Sequence, residues 1–157
     1  HDYDKYLFSY HGLPERQIRK GSVDGHCKLG TCCAAYGLKN QFCYRAQCFQ
    51  TTRLVAAKLG LPDDKVVTCF QSRLGKDPWI KPYTEDLIKE FAKEGVKKVL
   101  VFSPAFVADC LETTVEVGEE YKEQFEELGG EKWDLVPSLN SRDTWVACVK
   151  DLVEENS

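Results

Sequence analysis

The sequence predicts an α/β fold: a four-stranded parallel sheet with helices on both faces, a three-layer sandwich. Three observations predict it. Short apolar runs of strand character alternate with helical patterns along the chain, so consecutive strands are joined by crossovers. Those runs read as strands buried on both sides, the habit of parallel sheets. The first three helical stretches close on glycine, the usual helix stop.

The elements follow in order. Lys5–Ser9 (KYLFS) is the first strand and stops at the turn His11-Gly12-Leu13-Pro14. Arg45–Leu59 carries apolar residues at helical spacing, Ala46, Phe49, Leu54 and Ala57 among them, and stops at Gly60 with Pro62 behind it. Lys65–Phe70 (KVVTCF) is the second strand, and Thr84–Lys93 a helix closed by Gly95. Lys97–Phe102 (KKVLVF) is the third strand, and Phe106–Leu128 a long helix closed by Gly129 and Gly130. Trp133–Leu139 is the fourth strand and Asp143–Glu154 the last helix. In such sheets chemistry gathers beyond the carboxyl ends of the strands, here just after Phe8, Phe70, Phe102 and Val136.

The 157 residues suit one α/β domain, 1–157, with residues 21–43 as an insert that breaks the rhythm. Apolar residues are 43% and charged residues 29%, a globular composition that excludes collagen-like and disordered chains. No apolar run approaches the ~18 residues of a membrane span. With 21 basic against 25 acidic residues the net charge is −4, which does not favour a nucleic-acid surface. No Met occurs and no secretory leader is recognisable, so the chain reads as a piece of something longer.

Five of the eight cysteines, Cys27, Cys32, Cys33, Cys43 and Cys48, fall within 22 residues. One local cluster in an ordinary α/β sequence points to metal or iron–sulfur binding in a reducing compartment rather than to a disulfide scaffold. Cys69, Cys110 and Cys148 read as small core residues.

His11 follows the first strand in a tight turn, a position suited to proton transfer near neutral pH or to a plain hydrogen bond with the backbone. Gln71-Ser72-Arg73 through Trp79 follows the second strand as a polar loop with a packing Trp. After the third strand, Asp109, Glu112 and Glu116 fall within about 60° of one another at helical pitch. Glu120, Glu123 and Glu127 continue that stripe as a solvated face, while Leu111, Val115, Tyr121, Phe125 and Leu128 form the opposing apolar face. Carboxylates facing a histidine across a cleft can bind a divalent cation and relay protons.

Three stretches, in order and spacing, carry a resemblance: S-Y-H-G-L-P-E-R, then Q-S-R-L-G-K-D-P-W-I-K-P-Y-T, then S-P-A-F-V-A-D-C-L-E-T. With the closing E-E-L-G-G-E-K-W-D-L-V-P-S-L-N, they resemble the carboxyl-terminal half of ferrochelatases over nearly the whole chain except 21–43. The resemblance implies a chelatase-like fold of Rossmann type and insertion of Fe²⁺ into protoporphyrin IX to form protoheme. It implies catalytic roles for His11 and Glu112, a metal or proton path through Asp109 and Glu116, and porphyrin contacts from Trp79, Phe106 and Arg73. Ala105 stands where the family usually has Gly.

Some ferrochelatases carry a [2Fe–2S] cluster, and the spacing C-x4-C-C-x9-C-x4-C suits one. Adjacent thiolates rarely serve one iron without strain. The set is then Cys27, one of Cys32 and Cys33, Cys43 and Cys48, with structural zinc or free thiols as alternatives. His26 is either a further ligand or merely exposed. The resemblance further implies a missing amino-terminal half that walls the porphyrin cleft, self-association of the exposed wall, and an inactive fragment. It also implies a cytoplasmic setting with at most peripheral membrane contact. A chelatase for another tetrapyrrole and a non-catalytic iron–sulfur or zinc module are the rival readings.

Overall fold

The computed structural model describes residues 2–157. Four strands form one parallel sheet: β1 (Lys5–His11), β2 (Val66–Gln71), β3 (Lys98–Phe102) and β4 (Lys132–Leu135), in the order β2-β1-β3-β4. The helices are α1 (Glu15–Lys20), α2 (Tyr44–Leu59), α3 (Thr84–Glu94), α4 (Tyr121–Glu127) and α5 (Asp143–Glu155). A π-helical stretch, Glu112–Glu120, runs directly into α4. The predicted fold class therefore stands.

The period-two alternation of a strand divides the core in two. Leu7, Val99 and Val101 point to one face, where Ile88 and Phe91 of α3 and Phe125 of α4 cover them. Tyr6, Phe8 and Tyr10 point to the other, under Cys48 and Ala56 of α2 and Ile18 of α1. Five consecutive residues of β1 are buried, because this central strand has a neighbour on each edge and a helical layer on each face. The chain leaves β1 toward β2 on one side and returns past it to β3 on the other. A topological switch point thus lies between β1 and β3, where stacked Phe8 and Phe102 rings sit 4.6 Å apart.

Several boundaries differ from the sequence reading. β1 extends through His11, since its pairing with β2 continues to His11 opposite Gln71. β4 ends at Leu135, ahead of Pro137. The short helix α1 was not expected. None of the residues of α5 is buried, and Val146, Val149 and Leu152 stand on its exposed side.

The largest difference lies at 106–128, where Phe106–Cys110 is not helical and the helix begins only beside Glu112. The Thr113 and Thr114 hydroxyls both donate to the Cys110 carbonyl, at 3.0 and 2.8 Å, competing with regular α-helical pairing. The β-branched run and Gly118 that follow are poor α-formers, and the backbone widens. Its buried residues, Thr113, Val117, Tyr121 and Phe125, recur every four positions instead of at the α-helical 3.6. Leu111 and Leu128, expected on the apolar face, are therefore exposed.

Candidate active site

The carboxyl ends of β1 and β2 and the π-helical stretch enclose a cleft of about 530 Å³. His11, Ser72, Arg73, Glu112, Glu116 and Tyr121 are among the residues that line it. Asp109, Trp79 and Phe106 are not among its lining residues. The two aromatics instead flank His11, ring centre to ring centre at 6.2 Å for Trp79 and 6.3 Å for Phe106.

His11 is positioned by its strand and its neighbours. Its Nδ1 lies 2.6 Å from the Gly12 carbonyl, which can only accept, so Nδ1 carries the hydrogen. In the neutral ring Nε2 is then left with a free lone pair. The Tyr44 hydroxyl donates to the His11 carbonyl at 2.8 Å. Gly12 is required here by close approach: a Cβ would stand 2.9 Å from the Gln71 carbonyl and 3.0 Å from the Trp79 ring.

The three carboxylates differ. Asp109 accepts from Asn140 Nδ2 at 2.7 Å and from the Ser138 N–H at 3.2 Å, and the side chains of Asn140 and Ser138 hold its carboxyl below the ordinary range. It thereby ties the loop after β3 to the loop after β4. Glu116 accepts from the Ser72 N–H, the Ser72 hydroxyl and the buried Tyr121 hydroxyl. Burial and that bond to Glu116 raise the Tyr121 pKa. Glu112 has no such attachment to another loop. The Cys110 thiol, its own N–H and the nearby His11 hold its carboxyl below the ordinary value, so it is ionised at neutral pH.

The sequence placed Gln71 in a polar loop and Tyr121 on an apolar helix face, whereas Gln71 ends β2 and Tyr121 bonds Glu116. Gln71 is 1% exposed, takes the Ser9 hydroxyl at 2.6 Å, and donates to the Glu112 carbonyl at 3.2 Å. It locks the end of β2 to the start of the helix that carries Glu112. The available signal was an amide ending a run of buried strand residues.

The expected iron–sulfur or zinc site is overturned. Among the described residues no group of three or more His, Cys, Asp or Glu side chains is placed to hold a metal ion. Cys48 lies on the inner face of α2, in the same cluster as Tyr6 and Phe70, and burial pushes its thiol up to about 12. Burial likewise raises Cys33 to about 11. Cys27 and Cys43 pack against the same cluster as small apolar groups, and all eight thiols are free. Cys32 stands apart: burial opposes its ionisation, but bonds from the Lys28 N–H and its cysteine neighbours outweigh it and lower its pKa. Of the three remaining cysteines, Cys69 is a core residue as expected, whereas Cys110 is half-buried and Cys148 exposed. The reading as an iron–sulfur or zinc module loses its ligand set.

The four-stranded parallel sheet with helices on both faces is a three-layer α/β sandwich like the chelatase fold, and its cleft holds a histidine and an ionised carboxylate. The fold agrees with a solved structure titled a putative cobalamin (vitamin B12) biosynthesis CbiX protein from Marinobacter aquaeolei VT8. The TM-score is 0.51 at 14% identity, over 97% of this chain and 95% of that one. The family model described as ferrochelatase matches residues 1–157, and the chain belongs to that family.

The ferrochelatase of Legionella pneumophila (strain Lens) is 50% identical over 149 residues, 95% of this chain and 44% of its own length. That of Pseudomonas fluorescens (strain Pf0-1) is 52% identical over 156 residues, 98% of this chain and 46% of its own. That of Coxiella burnetii (strain Dugway 5J108-111) is 44% identical over 158 residues, 98% and 44% respectively. The chain thus spans less than half the length of these relatives. Among the described residues no helix is long and apolar enough to cross a membrane.

Proposed function

We propose that this chain forms the proton- and metal-handling wall of a ferrochelatase, which inserts Fe²⁺ into protoporphyrin IX and releases two pyrrole protons. The observation that carries this is His11, its Nε2 free, in one cleft with the ionised Glu112. A porphyrin must lose both inner protons as the metal enters, so the site needs a proton acceptor beside a negative group that favours the cation. His11 Nε2 takes the two pyrrole protons in turn, passing each to solvent at the open cleft, and Glu112 stabilises the imidazolium and the arriving Fe²⁺. Trp79 and Phe106 stand beside the imidazole and offer apolar surface to the flat macrocycle. Exposed Leu74 and Leu111 extend that surface at the cleft mouth.

Bending the macrocycle requires opposed contacts. The second wall comes from the part of the relatives' length that this chain does not span. The test uses a polypeptide that joins this chain to the amino-terminal half of a ferrochelatase. His11→Ala and Glu112→Gln should each lower the rate of protoporphyrin metallation by roughly 10²-fold or more with circular dichroism unchanged. Glu127→Gln, on the exposed side of α4, should leave it unchanged. A joined enzyme that metallates only another tetrapyrrole, or a His11→Ala variant with full activity, would overturn the proposal.

A further inference from the structure

Ser72 is the first residue beyond β2 and adopts φ +62°, a left-handed conformation that serine rarely takes. Its two donors, the backbone N–H and the hydroxyl, reach the two oxygens of Glu116 at 2.8 and 2.6 Å. The Tyr121 hydroxyl adds a third bond to Glu116 at 2.8 Å, from a side chain 7% exposed. The next residue is Arg73. Its guanidinium lies 4.5 Å from the centre of the Tyr83 ring, and the Tyr83 hydroxyl donates to the Trp79 carbonyl at 3.0 Å. Arg73 stands at the cleft with His11 and Glu112, and among the described residues it makes no ion pair with a carboxylate.

We propose that Glu116 is a positioning residue, which holds Ser72 left-handed and thereby sets Arg73, stacked on Tyr83, to receive a carboxylate of the porphyrin substrate. The inference rests on the proposed ferrochelatase reading and gives Glu116 a different part from that of a stop on the metal's route. Three of the roughly four acceptor sites of its carboxylate are already taken by protein donors. A guanidinium with its fork unpaired matches a carboxylate in two parallel bonds, and protoporphyrin IX carries two carboxylates at its edge. Asp109 shows the same device on the other rim, where its bonds hold Asn140 at φ +50°.

Charge and bracing are separable, because glutamine keeps an oxygen for the Ser72 N–H and the Tyr121 hydroxyl but has no charge. In the joined enzyme, Glu116→Ala should raise KM for protoporphyrin about tenfold, with KM for Fe²⁺ within twofold of the parent. Glu116→Gln should recover most of that loss. Arg73→Ala should reproduce the rise in porphyrin KM. Hydrogen exchange followed by mass spectrometry should show faster exchange at 71–74 in Glu116→Ala, and parent-like exchange in Glu116→Gln and Arg73→Ala.

If Glu116→Gln is as damaging as Glu116→Ala and the loss falls on KM for Fe²⁺, the carboxylate acts by its charge and the proposal is wrong. If Arg73→Ala leaves porphyrin KM unchanged, Arg73 is not what the brace serves and the proposal is equally wrong. Exchange at 71–74 needs no turnover, so a joined enzyme without metallation activity would refute the functional reading while the brace is still measured.

Discussion

The cleft at the carboxyl ends of β1 and β2 and the segment 21–43 are the two places where this chain concentrates reactive side chains, and they are built in opposite ways. Around the cleft each reactive group hangs from a regular element or is tied to one. His11 closes β1, Gln71 closes β2, and Glu112 opens the π-helical stretch to which Gln71 is bonded. The segment 21–43 has two short 3₁₀ turns, and Asn40 does much of the holding through bonds to the Cys32 and Ala35 carbonyls and the Gly37 N–H. Its cysteines turn toward the core beneath α2 or lie along the loop. Strand ends made the first region a candidate, and cysteine spacing the second. Only the one pinned at several points by the sheet brings its donors into one cleft.

Three substitutions break or sharpen this contrast. The largest effect belongs to the cleft floor. Gly12→Ala places a methyl group against the Gln71 carbonyl and the Trp79 ring, so it should destabilise by about 1–3 kcal/mol and shift Trp79 fluorescence. Unchanged stability would mean that the floor yields as easily as the loop.

An intermediate effect is expected with pH. Asp109 and Glu112 are both held below their ordinary values, so the unfolded chain binds more protons than the folded one as the medium is acidified. Their stabilisation is complete above the ordinary carboxylate pKa and is lost as pH falls through the lower folded values. Urea unfolding between about pH 6 and pH 3 should show stability declining below about pH 4. Asp109→Asn should flatten that decline, and an equal slope in the variant would show that the tie to Asn140 and Ser138 contributes nothing.

The smallest effect belongs to the loop. Cys43 is the N-cap of α2 and makes no side-chain cap bond. Serine is a preferred residue there, so Cys43→Ser should be neutral or stabilise by up to about 1 kcal/mol in thermal unfolding. A loss of several kcal/mol, beyond the roughly 1 kcal/mol of an ordinary substitution, would show that this thiol staples the loop after all.

Much of the site was legible because it follows from topology. Strand ends predict where a cleft forms, and His11, Arg73 and Glu112 all fall there. The acidic stripe was legible in composition but not in phase. A helix assumed at 3.6 residues per turn puts Asp109 and Glu112 on one face, whereas the widened helix starts later and leaves Asp109 in the preceding loop. The roles of Glu116 and Gln71 were not legible. Each depends on a partner far along the chain, Ser72 for one and Ser9 and Glu112 for the other.

By itself the sequence determined the alternation of strands and helices, the parallel sheet and the membership of the ferrochelatase family. These depend on local hydrophobic period, on stop signals and on ordered motifs, all of which are written along one dimension. Tertiary structure alone decided which cysteines are core packing and which carboxylates are bound by neighbouring loops. It also decided that Nδ1 of His11 is spent on the Gly12 carbonyl. The physical reason is that ligation, bracing and tautomer are settled within about 3 Å, and approach on that scale depends on how distant segments pack. Spacing can nominate a thiol or a carboxylate for such a role, but the backbone beneath it determines what it touches.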